Sequence, residues 1–188
     1  ISMKKAPNVR LSLRKLILAT LAVGPLAVLP SPIWAVLPTY NPATNTGSFT
    51  VLNGTATVTP SGTIATISTS DKAVLSWGNN TTGAPYTPDV STITNFNIEN
   101  GQTYQFIVPT GGAVLNRVKA GNVTVANNAT YSGVAAFIGS TGTLLSNGKV
   151  FILSDNGNIV VQNGATVNTQ GGLVLSTLAE GSDGPFIT

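Results

Sequence analysis

Residues 147–176 read NGKVFILSDNGNIVVQNGATVNTQGGLVLS. Four short runs stand in this stretch: 149–153 (KVFIL), 159–161 (IVV), 165–168 (ATVN) and 173–176 (LVLS). Asn147-Gly148, Asn156-Gly157, Asn163-Gly164 and Gly171-Gly172 separate them. Asn and Gly accept the positive φ of tight turns, and β-branched runs between such dipeptides read as strands. Upstream the pattern continues with 48–52 (SFTVL), 55–59 (TATVT), 63–68 (TIATIS) and 72–77 (KAVLSW), then 103–108, 113–118, 122–125 and 134–138. Asn53-Gly54 and Ser61-Gly62 mark further turns. No stretch spaces its apolar residues at i, i+3, i+4 and i+7, so no amphipathic helix is expected. An all-β chain of this kind could be a sandwich, a barrel or a β-helix. Runs of three to five residues and closely set turns favour the β-helix, in which each turn of chain completes itself by stacking on the next.

Composition narrows the function. Of 188 residues, 8% are charged and none is Cys or His. Disulfide scaffolds, Cys/His zinc sites and imidazole catalysis are thereby excluded. Five of the nine basic residues, Lys4, Lys5, Arg10, Arg14 and Lys15, lie in the first fifteen. Beyond residue 35 only Lys72, Arg117, Lys119 and Lys149 remain, against six acids. Four scattered cations make no basic face, so no nucleic-acid partner is expected. The acids Asp71, Asp89, Glu99, Asp155, Glu180 and Asp183 are dispersed. Carbohydrate-cleaving sites need paired carboxylates, so no enzyme activity, catalytic residue, metal or cofactor is expected.

Residues 1–35 read as a cleaved signal peptide: a basic stretch, an apolar run from Leu16 to Leu29, then Pro30-Ser31-Pro32-Ile33-Trp34-Ala35. Cleavage is expected after Ala35. Residues 79–90 (NNTTGAPYTPDV) carry two prolines and no apolar run, and read as a projecting loop. Residues 179–188 lack capping character and read as the start of a continuing chain or linker. Trp77 is expected to pack as an end plug or under the loop.

The order of segments resembles a known family. Lys72 to Trp77, then Phe96-Asn97-Ile98, Gly101 to Phe106, Ala113 to Val118, Leu145 to Leu153, Gly164 to Asn168 and Gly172 to Leu178 together look like the amino-terminal domain of filamentous haemagglutinin-type exoproteins, the substrates of two-partner secretion. The resemblance spans about residues 36–178. It implies a right-handed parallel β-helix with short antiparallel capping and extra-helical strands. It also implies export through the periplasm of a diderm bacterium to the cell surface. The implied partner is an outer-membrane β-barrel transporter whose periplasmic domains capture this domain, which then nucleates β-helix folding outside. The secretion-motif positions are Leu115, Asn116, Arg117 and Val118, and the turn Ser154, Asp155, Asn156 and Gly157. The family's usual N-P-N-G turn is here Ser-Asp-Asn-Gly, without the proline. Arg117 has two readings, a plain surface charge or a transporter contact. The alternative function is a free-standing secreted β-solenoid that binds a surface glycan or forms matrix, with a polysaccharide-active β-helix enzyme as the third; host or neighbour-cell surface glycans or proteins are further candidate partners.

Overall fold

The computed structural model describes residues 37–77, 96–119, 121–124, 130–155, 157–177 and 184–187. The expected signal peptide and the 79–90 loop lie outside the described residues, as do Asn156 and most of 179–188. The strands are β1 (Tyr40–Asn41), β2 (Thr46–Gly47), β3 (Phe49–Asn53), β4 (Ala56–Ser61), β5 (Ile64–Thr69), β6 (Ala73–Trp77), β7 (Phe96–Ile98) and β8 (Thr103–Ile107). They continue as β9 (Ala113–Lys119), β10 (Gly121–Thr124), β11 (Thr130–Ile138), β12 (Thr143–Ser146), β13 (Lys149–Asp155), β14 (Asn158–Val161), β15 (Thr166–Thr169) and β16 (Leu173–Ser176). A single helical turn, α1 (Gly184–Ile187), comes after them.

Three sheets hold the parallel strands. Sheet I stacks β5, β8, β12 and β15; sheet II stacks β6, β9, β13 and β16; sheet III stacks β7, β11 and β14. The chain visits them in the order I, II, III and repeats, which is a β-helix-like path. Thr143 pairs with Thr166, so one tier takes 23 residues. The two earlier tiers are longer: Ile64 pairs with Thr103, and Thr103 with Thr143. The step from sheet III to sheet I stays at seven residues, from Phe96 to Thr103, Ala136 to Thr143 and Ile159 to Thr166. Most of the added length falls instead between sheets II and III. In the second tier it holds β10 and the first half of β11, an antiparallel hairpin standing outside the stack.

The two ends differ. At one, β4 and β3 run antiparallel to β5 and β6 and close the stack. The β4–β5 turn uses Gly62 at φ 58°, a left-handed conformation that other residues adopt only at a cost. β4 is an edge strand and carries Pro60, which cannot donate to a further strand. At the other end, β15 and β16 form the edges of sheets I and II, and their Val167 and Leu175 are 38% and 40% exposed.

The interior is built from columns in register. Ala65, Tyr104 and Leu144 stack on sheet I, and Ala73, Val114 and Val150 on sheet II, all buried. Aromatic rings fill the first tier. Trp77 lies 4.9 Å from Phe49, 5.0 Å from Phe96 and 6.0 Å from Tyr104, centroid to centroid. Trp77 is thus an interior residue at 2% exposure, one layer in from the capped end, with Phe49 of the cap against it.

Glycines mark one corner. The pairings of β9, β13 and β16 align Gly112, Gly148 and Gly171 just before sheet II in successive tiers. A Cβ on Gly148 would stand 2.8 Å from the Gly112 carbonyl oxygen, and one on Gly171 2.5 Å from the Lys149 nitrogen. Close backbone approach, rather than turn conformation, demands these residues. Asp71 occupies the corresponding place in the first tier, and its carboxylate accepts from the Ala113 N–H at 3.0 Å, tying that tier to the next.

Candidate functional site

The two segments singled out from the sequence lie side by side. Leu153 pairs with Arg117 and Ser154 with Val118, where sheet II turns toward sheet III. Val134, at the base of the β10–β11 hairpin, pairs with Asn158 just beyond.

Strand alternation divides the first segment. Val118 points inward and is 1% exposed, in register with Trp77 and Ser154. Asn116 also points inward and is fully buried. Its Oδ1 accepts from Trp77 Nε1 at 2.9 Å, and its Nδ2 donates to the Phe151 carbonyl at 3.2 Å. A buried amide needs such partners, and this one links three successive strands of sheet II. Leu115 faces the outer side but is only 1% exposed. Arg117 is half-buried on that outer side, between Ser76 and Leu153.

The second segment is a closed turn. Ser154 is fully buried, and its Oγ both donates to the Gly157 carbonyl at 2.7 Å and accepts from the Gly157 N–H at 3.0 Å. The serine hydroxyl thereby ties the turn that a proline would otherwise preset. Replacing it leaves a buried N–H and carbonyl unpaired, so Ser154→Ala should lower stability by about 2 kcal/mol, read by urea denaturation. Asp155 contributes backbone pairing to Lys119.

Other polar contacts carry no sequence motif. Asn147 makes a reciprocal pair with Val108 of the preceding tier, accepting from its N–H at 2.7 Å and donating to its carbonyl at 2.8 Å. Asn100 Oδ1 accepts from the Thr141 N–H one tier on, at 3.2 Å. The Tyr104 hydroxyl of the second tier donates to the Asn97 carbonyl of the first, where the Asn97 amide donates to Glu99 at 3.1 Å. Burial, reinforced by the Glu99 carboxylate, pushes the Tyr104 phenol far above its usual range. The folded chain therefore holds it neutral where the unfolded chain ionises. Its stabilising share is complete below about pH 10, the ordinary tyrosine value, and is lost as pH rises beyond. Stability should fall by up to about 1.4 kcal/mol per pH unit there, and Tyr104→Phe should flatten that slope in urea melts.

Among the described residues, no group of three or more acidic side chains gathers that could hold a metal ion. Among the described side chains, the corner is joined by backbone pairing, the Asn116 amide and the Ser154 hydroxyl, with Arg117 half-buried on its outer side.

No protein-family model matches the chain, and no curated protein does. A solved structure does. The chain is similar to the HMW1 secretion domain from Haemophilus influenzae, with 27% identity and a TM-score of 0.51. The match covers 74% of this chain and 29% of that one. This chain thus spans under a third of the chain it matches.

Proposed function

We propose that this chain is the amino-terminal secretion domain of an exported, adhesin-like protein. The observation that carries the reading is its likeness to the HMW1 secretion domain, together with stacked parallel sheets capped by antiparallel β3 and β4. In this reading residues 1–35 direct export to the periplasm and are removed there. The periplasmic domains of an outer-membrane β-barrel transporter then capture the chain, as in two-partner secretion. It crosses unfolded and winds outside into a right-handed parallel β-helix. The capped end fixes where stacking begins, and the exposed edges of β15 and β16 receive further strands. The absence of Cys supports this route, since no disulfide can lock the chain before it threads. The corner at Arg117 and Ser154–Gly157 is the proposed recognition region.

Co-expression with its transporter tests the proposal. The chain should reach the medium or the outer surface only when the transporter is present. Retention in the periplasm in both cases, with the leader removed, would overturn the secretion role.

A further inference from the structure

The outer faces of the three sheets are finished differently. On sheet I the outward rows are mixed: Ile64, Thr103, Thr143 and Thr166 are aligned, as are Thr66, Gln105, Leu145 and Asn168, so apolar side chains stand singly among polar ones. On sheet III the outward Phe137 and Val160 are covered by the chain's own hairpin, through Val123 and Tyr131. On sheet II the outward residues Val74, Leu115, Phe151 and Val174 form one apolar row in register. Exposure changes along it, from 44% at Val174 to 1% at Leu115 and 0% at Val74. At Phe151 the ring of Phe186, from α1, stands edge-on with centroids 5.4 Å apart and planes at 73°. Phe186 also walls a groove of about 420 Å³ floored by Leu115, Phe151 and Leu153, with Lys72 and Lys149 on its rim.

We propose that the outer face of sheet II is an intramolecular docking surface, and that its occupant is the chain's own segment after β16, anchored by Phe186 on Phe151. The topology supports that occupant. β16 is the edge strand of this same sheet, so the segment departs from the border of the face it covers. Nine residues lie between Ser176 and Phe186, and neighbouring strands are about 4.8 Å apart, so the chain is long enough to reach β13 from β16. The arrangement places on β13 of sheet II what the hairpin places on sheet III, an apolar cover drawn from the chain itself. The inference goes beyond the secretion reading and does not depend on it.

The test uses the full chain. Phe186→Ala should raise binding of an anilinonaphthalene sulfonate dye several-fold and speed cleavage after Glu180 by a glutamyl endopeptidase about tenfold. Far-UV circular dichroism should stay unchanged. Phe186→Leu, which keeps an apolar anchor, should stay near the parent on both measures. Equal dye binding and equal cleavage in Phe186→Ala and parent would overturn the proposal. So would a concentration-dependent dimer of the parent that Phe151→Ala dissolves, because the occupant would then be a second copy.

Discussion

Trp77→Ala should lower the stability of the folded chain by about 5 kcal/mol, at the upper end for an aromatic truncated in a core. Three terms combine. The indole is 2% exposed and packs against Phe49, Phe96 and Tyr104, so its removal leaves a cavity between rigid rings. The rings also lose their mutual edge and stacking contacts, worth about 1 kcal/mol each. Finally, the Asn116 carbonyl, fully buried, loses its donor at 2.9 Å, which adds about 1–3 kcal/mol. Trp77→Phe separates these terms, because it keeps most of the packing and loses the N–H. Its cost should be about half that of the alanine variant. Denaturant titration followed by circular dichroism reads both, and a loss below about 2 kcal/mol for Trp77→Ala would refute the account of Asn116 as a packed joint.

Gly148→Val should cost about 3 kcal/mol, as overpacking of a rigid contact does. The new Cβ would stand 2.8 Å from the Gly112 carbonyl and 2.8 Å from the Val108 Cβ. That carbonyl cannot retreat easily, since it accepts the Lys149 N–H at 3.0 Å. The tiers would have to part where sheet II begins. Gly62→Ala is the fitting comparison. It has open space around its Cβ and only the left-handed backbone to resist it, which costs about 1–2 kcal/mol. Urea midpoints should therefore place Gly148→Val well below Gly62→Ala. The reverse order would show that the glycine column is spaced more loosely than its geometry indicates.

Much of the fold was readable because turns and strands were punctuated by type. Asn53-Gly54, Ser61-Gly62, Asn147-Gly148, Asn163-Gly164 and Gly171-Gly172 all fall at or beside turns, and the runs between them became strands within a residue or two, except that the strand at 134–138 begins at Thr130. The tier length was not readable. Two of the three complete tiers carry added chain between sheets II and III, so the 23-residue spacing occurs once. β7 and β12, of three and four residues, are too short to stand out by composition. The outward apolar row of sheet II was also hidden. Segments such as AVLSW and KVFIL are apolar on both faces, and period-2 patterning cannot then say which side is inside.

The candidate site was legible as a place and not as a set of roles. The resemblance drew attention to residues 115–118 and 154–157, and the register brings these segments together. Yet Asn116 read as a polar residue in a motif, and it is buried because its partner Trp77 arrives from 39 residues away. Ser154 stood out only as the residue replacing another in a turn. Its hydroxyl does the fastening, which composition alone does not reveal. Asn147 and Asp71 tie tiers together from corners where any polar residue would have looked equally at home.

The uneven tiers have a practical corollary. Extra chain enters mostly at a single seam, while the return from sheet III to sheet I keeps a constant seven-residue step. Foreign peptides spliced into that seam, at the third tier as well as the first two, should be carried without loss of stacking. Strand spacing would then set them one above another at intervals of about 4.8 Å, a ready-made display rail along that seam.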